Sequence, residues 1–233
     1  MASPPSIELI ACGVPAAACE VARQSLSRLT SARRGALRVA LFDGDNADFD
    51  ALLANPISAA LDVACLSARH AMPMRPDVLV WRLSTRTALK IDGASAFTKA
   101  VICRQPGLAP VEGKIAMALQ EAIGNAVLHG NLDLKTAQRG NLEGLVEFAA
   151  EMERRTADPA YAFRPVTVGA VTCGGRMVIW VDDCGRGFTP VAPRDIVLSA
   201  GGGNGLAMIR ACCQDLAIRR GGRRTVMAFA LPE

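Results

Sequence analysis

Short apolar runs alternate with stretches in which apolar side chains recur every three or four positions, and this alternation predicts the elements. Residues 7–12 (IELIAC), 37–42 (LRVALF), 61–66 and 77–83 (DVLVWRL) read as strands, with 100–103 as a further short strand. Residues 16–33 and 49–54 read as helices between them. Strands that are apolar throughout and separated by helices predict a parallel sheet covered on both faces. Proline and glycine in QPGLAP, residues 105–110, break regular structure, so a boundary is expected there between domains at 1–107 and 108–233. Beyond it, residues 111–130 form a strong helix pattern, with Ile115, Leu119, Ala122, Ala126 and Leu128 on its apolar side and Gly130 as a natural C-cap. Helices at 141–155 and 205–214, and strands at 166–172, 177–182, 216–219 and 225–231, complete the pattern. The fold class is α/β.

Composition narrows the class further. Hydrophobic residues at 51% against charged residues at 21% describe a globular chain and exclude disorder. The net charge of +4 is spread along the chain without a block of five or six like charges, so no nucleic-acid partner is expected. The eight cysteines include no C-x-x-C pair and the chain has two histidines, so zinc-site spacing is absent. Cysteine here reads as a small buried hydrophobe in a reducing compartment. No apolar run reaches the ~18–20 residues that span a bilayer. LIAC at 9–12 matches a lipoprotein cleavage box only by pattern, since no basic leader precedes it and Glu8 stands where the apolar run belongs. A cytoplasmic protein without a membrane partner is expected.

Three short motifs carry chemistry. In EAIGNAVLHGN, residues 121–131, Glu121, Asn125 and His129 fall at i, i+4 and i+8 along one helix stripe. A carboxylate can take a proton from a nucleophile, and an amide oxygen suits Mg²⁺. In VIWVDDCGRGF, residues 178–188, a strand runs into Asp183, Gly185 and Gly187; such an aspartate can accept a hydrogen bond from an exocyclic amine. In GGGNGLAMI, residues 201–209, glycines open a helix whose backbone N–H groups suit phosphate. Each motif alone is equally an exposed polar helix face, an ordinary turn or a glycine cap. Thr225 alone is a β-former.

Together, in this order and spacing, they resemble the GHKL ATP-binding superfamily, which includes gyrase, histidine kinases and the MutL mismatch-repair protein. E-A-x-x-N-A-x-x-H-G-N is most similar to the anti-sigma-factor serine/threonine kinase branch. Residues 132–165 also resemble bacterial ATP-binding modules attached to receiver domains. The resemblance covers roughly residues 111–233 and implies an α/β sandwich with helices on one face of a mixed sheet. It implies ATP and Mg²⁺ as cofactors, Glu121 as general base and Asn125 as the Mg²⁺ ligand. It places His129 with the nucleotide, Asp183 on the adenine amine, Gly185 and Gly187 in one glycine box, Gly203 and Gly205 in a second, and Thr225 near adenine. Asn204 stands where many relatives carry arginine. Relatives have a strand and a helix before the motif helix, so here part of that layer is absent or supplied by the N-terminal part.

RPDVLVWRLS, residues 75–84, resembles the central strand of a receiver domain, but Arg82 and Leu83 stand where a working receiver has its phosphorylated aspartate. The N-terminal part is thus a degenerate, flavodoxin-like receiver or an unrelated α/β domain. The resemblance implies a bacterial signalling regulator that phosphorylates a small regulatory protein of anti-anti-sigma type, or acts on a sigma-like factor; a homodimer is left open. Two alternatives remain. One is a module that binds ATP or a partner without catalysis. The other is a histidine kinase or phosphotransferase, for which His70 and His129 both lack the expected setting.

Overall fold

Among the described residues, eight strands, numbered β1 to β8 along the chain, form one continuous sheet in the order β1-β2-β3-β4-β5-β6-β8-β7. The computed structural model describes residues 7–29, 36–45, 49, 52, 56–66, 72–135, 142–188 and 204–231. Strands β1 (Ile7–Cys12), β2 (Leu37–Phe42), β3 (Ala59–Asp62) and β4 (Val78–Ser84) run parallel. Strands β5 (Pro165–Cys173), β6 (Arg176–Asp182), β8 (Arg224–Ala230) and β7 (Asp215–Arg219) are antiparallel. The two parts meet where β4 pairs antiparallel with β5 from Val78↔Val171 to Ser84↔Pro165. The fold is a mixed α/β sheet with helices, as a GHKL-type sandwich requires.

Alternation of side chains across the sheet makes two cores. On one face, Phe42, Trp81, Val168, Ile179, Met227 and Phe229 pack beneath three helices: α3 (Gly93–Arg104), α4 (Glu112–Asn125) and α7 (Gly205–Cys212). On the other face, Ala22 and Leu26 of α1 (Ala16–Leu29) cover Val39, Leu41, Leu61 and Val80. This second core reaches Trp180 of β6, whose indole lies over Gly169; any side-chain carbon at Gly169 would collide with it.

Several expectations need correction. Residues 100–103 are not a strand but the last turns of α3. A four-residue apolar run cannot distinguish a buried helix face from a strand. Here Asp92 decides it, capping the helix by accepting from Ser95 N at 2.9 Å. The third strand was expected at 61–66 and ends instead at Asp62. Its carboxylate accepts from Ala64 N at 2.9 Å and turns the chain into a 3₁₀ helix at Val63–Cys65. A short helix, α2 (Thr85–Lys90), follows β4 directly and was not foreseen. The receiver-like expectation needs its first strand between the second and third, as in the order 2-1-3-4-5. Here β1 is the edge strand and the order is sequential. The helix expected at 49–54 lies largely outside the described residues, as does His70.

The residues expected to separate two domains form a 3₁₀ helix, Pro106–Val111, between α3 and α4. The layer ahead of the motif helix is therefore supplied by β4, α2 and α3, all on the N-terminal side of that segment. Helix α5 (Leu142–Ala157) and the short α6 (Pro159–Ala162), begun by Asp158 and Pro159, lead into β5.

Candidate functional site

Helix α4 does not end where its α-helical hydrogen bonds end. It continues as a π-helical turn, Ala126–Asn131, through the motif residues. Such widened turns occur often at functional sites. The turn closes on a buried amide: Asn131 donates to Thr85 Oγ1 at 2.9 Å and to the carbonyls of Arg164 and Pro165 at 3.2 and 3.1 Å. Its oxygen accepts from Cys184 N at 2.7 Å. One side chain thus ties the motif helix to α2, to the start of β5 and to the residue after Asp183. Asn131 was within the quoted motif but given no role; its burial was not legible from spacing.

Beside this turn lies a cavity of about 490 Å³. Of the residues singled out in the sequence, Asn125, His129, Asp183, Gly187, Gly205 and Thr225 line it. Leu134, Lys135, Phe188 and Gly222 line it too; Phe188 closes the VIWVDDCGRGF motif but was given no role, and the other three sit in a loop and a turn outside the three motifs. Glu121 stands just off the lining, beside Gly205: a side-chain carbon built there would fall 2.9 Å from Glu121 Oε2 and 3.1 Å from Asn125 Nδ2. Helix α7 therefore begins against Glu121 and Asn125, two of the three polar residues of the motif stripe. Gly185 does not line the cavity but packs on the Gly130 backbone. Gly203 lies outside the described residues.

Asp183 follows the end of β6, and its geometry depends on two glycines. A side-chain carbon at Gly130 would come 2.5 Å from Asp183 Cγ, so only glycine lets the carboxylate lie on the π turn. Gly187 has φ +75°, which glycine adopts freely, and approaches Gly221 too closely for any side chain. One Asp183 oxygen accepts from Gly185 N at 2.7 Å, and its second has no partner among the described residues. Burial raises its pKa from 3.8 to about 6, with the Asp182 charge adding to the rise; the Gly185 hydrogen bond and the Arg223 charge oppose it. A partly dry carboxylate with a free acceptor, facing a cavity, is suited to an amine donor. His129 is exposed, and its Nδ1 donates to Leu134 O at 2.8 Å, which fixes the ring at the rim.

The cavity runs along α4. Asp183 touches Gly130, whereas Gly205 touches Asn125, five positions earlier, so the two ends are about 7 Å apart at the helical rise. An acceptor for an amine at one end, and an amide oxygen with a helix N-terminus at the other, fit a purine at the first and phosphates with a hard cation at the second. A family model described as the histidine kinase-like ATPase domain matches residues 84–230. No curated protein matches the chain.

Proposed function

The chain belongs to the histidine kinase-like ATPase domain family, and from that premise we propose that it is a cytoplasmic signalling regulator with serine/threonine protein kinase chemistry. It binds ATP with Mg²⁺ in the cavity and transfers the terminal phosphoryl group to a hydroxyl of a small regulatory protein. The observation that carries this reading is the placement of Asp183 and Thr225 in one cavity with Asn125 and the start of α7. Asp183 accepts from the adenine amine. The amide oxygen of Asn125 would hold Mg²⁺, which supplies charge neutralisation at the phosphates. The hydroxyl oxygen forms the new bond to the terminal phosphorus, the bond to the bridging oxygen breaks, ADP leaves, and Glu121 takes the hydroxyl proton.

A second reading, binding without transfer, is favoured by one observation: Glu121 stands off the cavity lining. One pair of variants separates the two. Glu121→Ala is expected to keep Mg·ATP affinity and to lose about 10²–10⁴-fold in turnover, the usual contribution of a general base. Asn125→Ala is expected to lose affinity and turnover together. Calorimetry with and without Mg²⁺ reads binding, and radiolabel transfer to partner proteins reads chemistry. Turnover unaffected by Glu121→Ala would leave the binding module as the better account.

A further inference from the structure

We propose that the turn joining β7 to β8 docks an acidic segment of a protein partner, and that its occupancy is coupled to the cavity; the coupling rests on the nucleotide reading above. The turn concentrates charge that the rest of the chain spreads. Arg219, Arg220, Arg223 and Arg224 flank Gly221 and Gly222, and Arg219, Arg220 and Arg223 are exposed. Arg186, its side chain 87% exposed, adds a fifth guanidinium from the glycine box. Two carboxylates answer them. Asp182 accepts from Arg224 at 2.6 and 2.5 Å and has Arg220 at 3.5 Å; Asp133 has Arg186 at 3.5 Å. Arg219 and Arg223 donate to backbone carbonyls, those of Ile218 and Arg220, and have no carboxylate within ion-pair distance among the described residues.

The backbone makes a second, independent point. Arg220, Gly221 and Gly222 have φ of +54°, +63° and +92° in succession. Glycine is the unstrained occupant of such positions, and a long side chain rarely takes one. The chain nevertheless places a guanidinium at Arg220, the exposed apex of the turn. A strained backbone that presents a charge to solvent points to use of that charge.

The turn is also one wall of the cavity. Gly221 O accepts from Phe188 N at 3.0 Å, and Arg223 O accepts from Asp183 N at 3.1 Å. Gly222 and Thr225 line the cavity from the same hairpin. A ligand that shifts the turn therefore shifts the backbone that carries Asp183. The patch is confined to this turn and the adjoining Arg186, with Asp182 beside Arg220 and Arg224, so it offers no track for a phosphodiester backbone. A short run of carboxylates matches its size and sign.

The test uses the full chain, a fluorescein-labelled oligoglutamate peptide and a single-stranded oligothymidylate, read by anisotropy at several salt concentrations. The peptide is expected to bind, to weaken with salt, and to bind more tightly than the oligonucleotide. Arg219→Gln with Arg220→Gly is expected to weaken the peptide about fivefold. Arg220→Gly relieves the backbone, so this variant melts no lower than wild type and the loss is not unfolding. ATP and peptide are expected to change each other's affinity by one common factor, on the order of fivefold. Equal peptide affinity in wild type and variant overturns the docking site, as does tighter binding of the oligonucleotide. Peptide binding that ignores bound ATP overturns the coupling. Absence of ATP binding, measured separately by calorimetry, overturns the nucleotide reading and leaves the docking result to stand by itself.

Discussion

Asp62 and Asp183 both stand at strand ends, one in the parallel part of the sheet and one in the antiparallel part, and they differ in what is left over. Asp62 is fully buried. Its Oδ1 accepts from Ala64 N at 2.9 Å, and its Oδ2 accepts from Ser84 N at 3.0 Å and Thr87 Oγ1 at 2.5 Å. Three donors from β4, α2 and the 3₁₀ turn consume its acceptors, so it fastens structure. Asp183 is partly buried, uses one oxygen on Gly185 N, and lines a cavity. A buried carboxylate with its bonds made internally serves the fold, whereas one with a bond unmade and a space before it serves a ligand.

The largest expected effect is on stability. Asp62→Ala strands three donors and should cost about 3 kcal/mol in denaturant unfolding, since each buried group left without a partner costs ~1–3 kcal/mol and the site will relax in part. ATP affinity, measured where the variant remains folded, should be unchanged. A loss of affinity there would break the comparison by making Asp62 part of the site.

Asp183→Ala should show the reverse. A charge-assisted hydrogen bond in a partly dry pocket contributes ~1.5–3 kcal/mol, so ATP affinity should fall about tenfold or more in calorimetry, without a fall in melting temperature. Unchanged affinity would remove Asp183 from adenine recognition.

The smallest effect sharpens the second. The folded-state pKa of Asp183, about 6, lies above its ordinary 3.8. A raised folded pKa gives stability that is present below 3.8 and lost as pH rises through about 6. Asp183→Asn removes that loss. Melts without nucleotide should show the variant gaining on wild type as pH rises through about 6, with the gain vanishing toward pH 3.8. Wild-type ATP affinity should move the other way, rising through about pH 6 as the carboxylate ionises to accept the amine. A pH-independent difference between the melts would show that burial does not hold the carboxyl above its usual range.

Much of the fold was legible from local pattern. The runs at β1, β2, β4, β5, β6 and β8 and the long stripe of α4 announce themselves, because side-chain period follows directly from backbone geometry. The stripe Glu121–Asn125–His129 and the glycines of the D-x-G-x-G turn were visible for the same reason. Gly203 could not be followed, since it lies outside the described residues. The loop residues Leu134 and Lys135 of the cavity were not visible, because a loop carries no period.

The sequence by itself determined where regular elements form and which polar residues share a helix face, since both depend on neighbours within a few positions. Only the tertiary structure decided the sequential strand order with β1 at the edge, the pairing of β4 with β5 across the expected boundary, and the helix at residues 100–103. It alone separated Asp62 from Asp183 and found the Asn131 hub. These depend on contacts between residues tens of positions apart: Asn131 reaches back 46 residues to Thr85 and forward 53 to Cys184. Whether a buried polar atom ends with a partner or facing a cavity is settled by what long-range packing brings to it, and no local pattern records that.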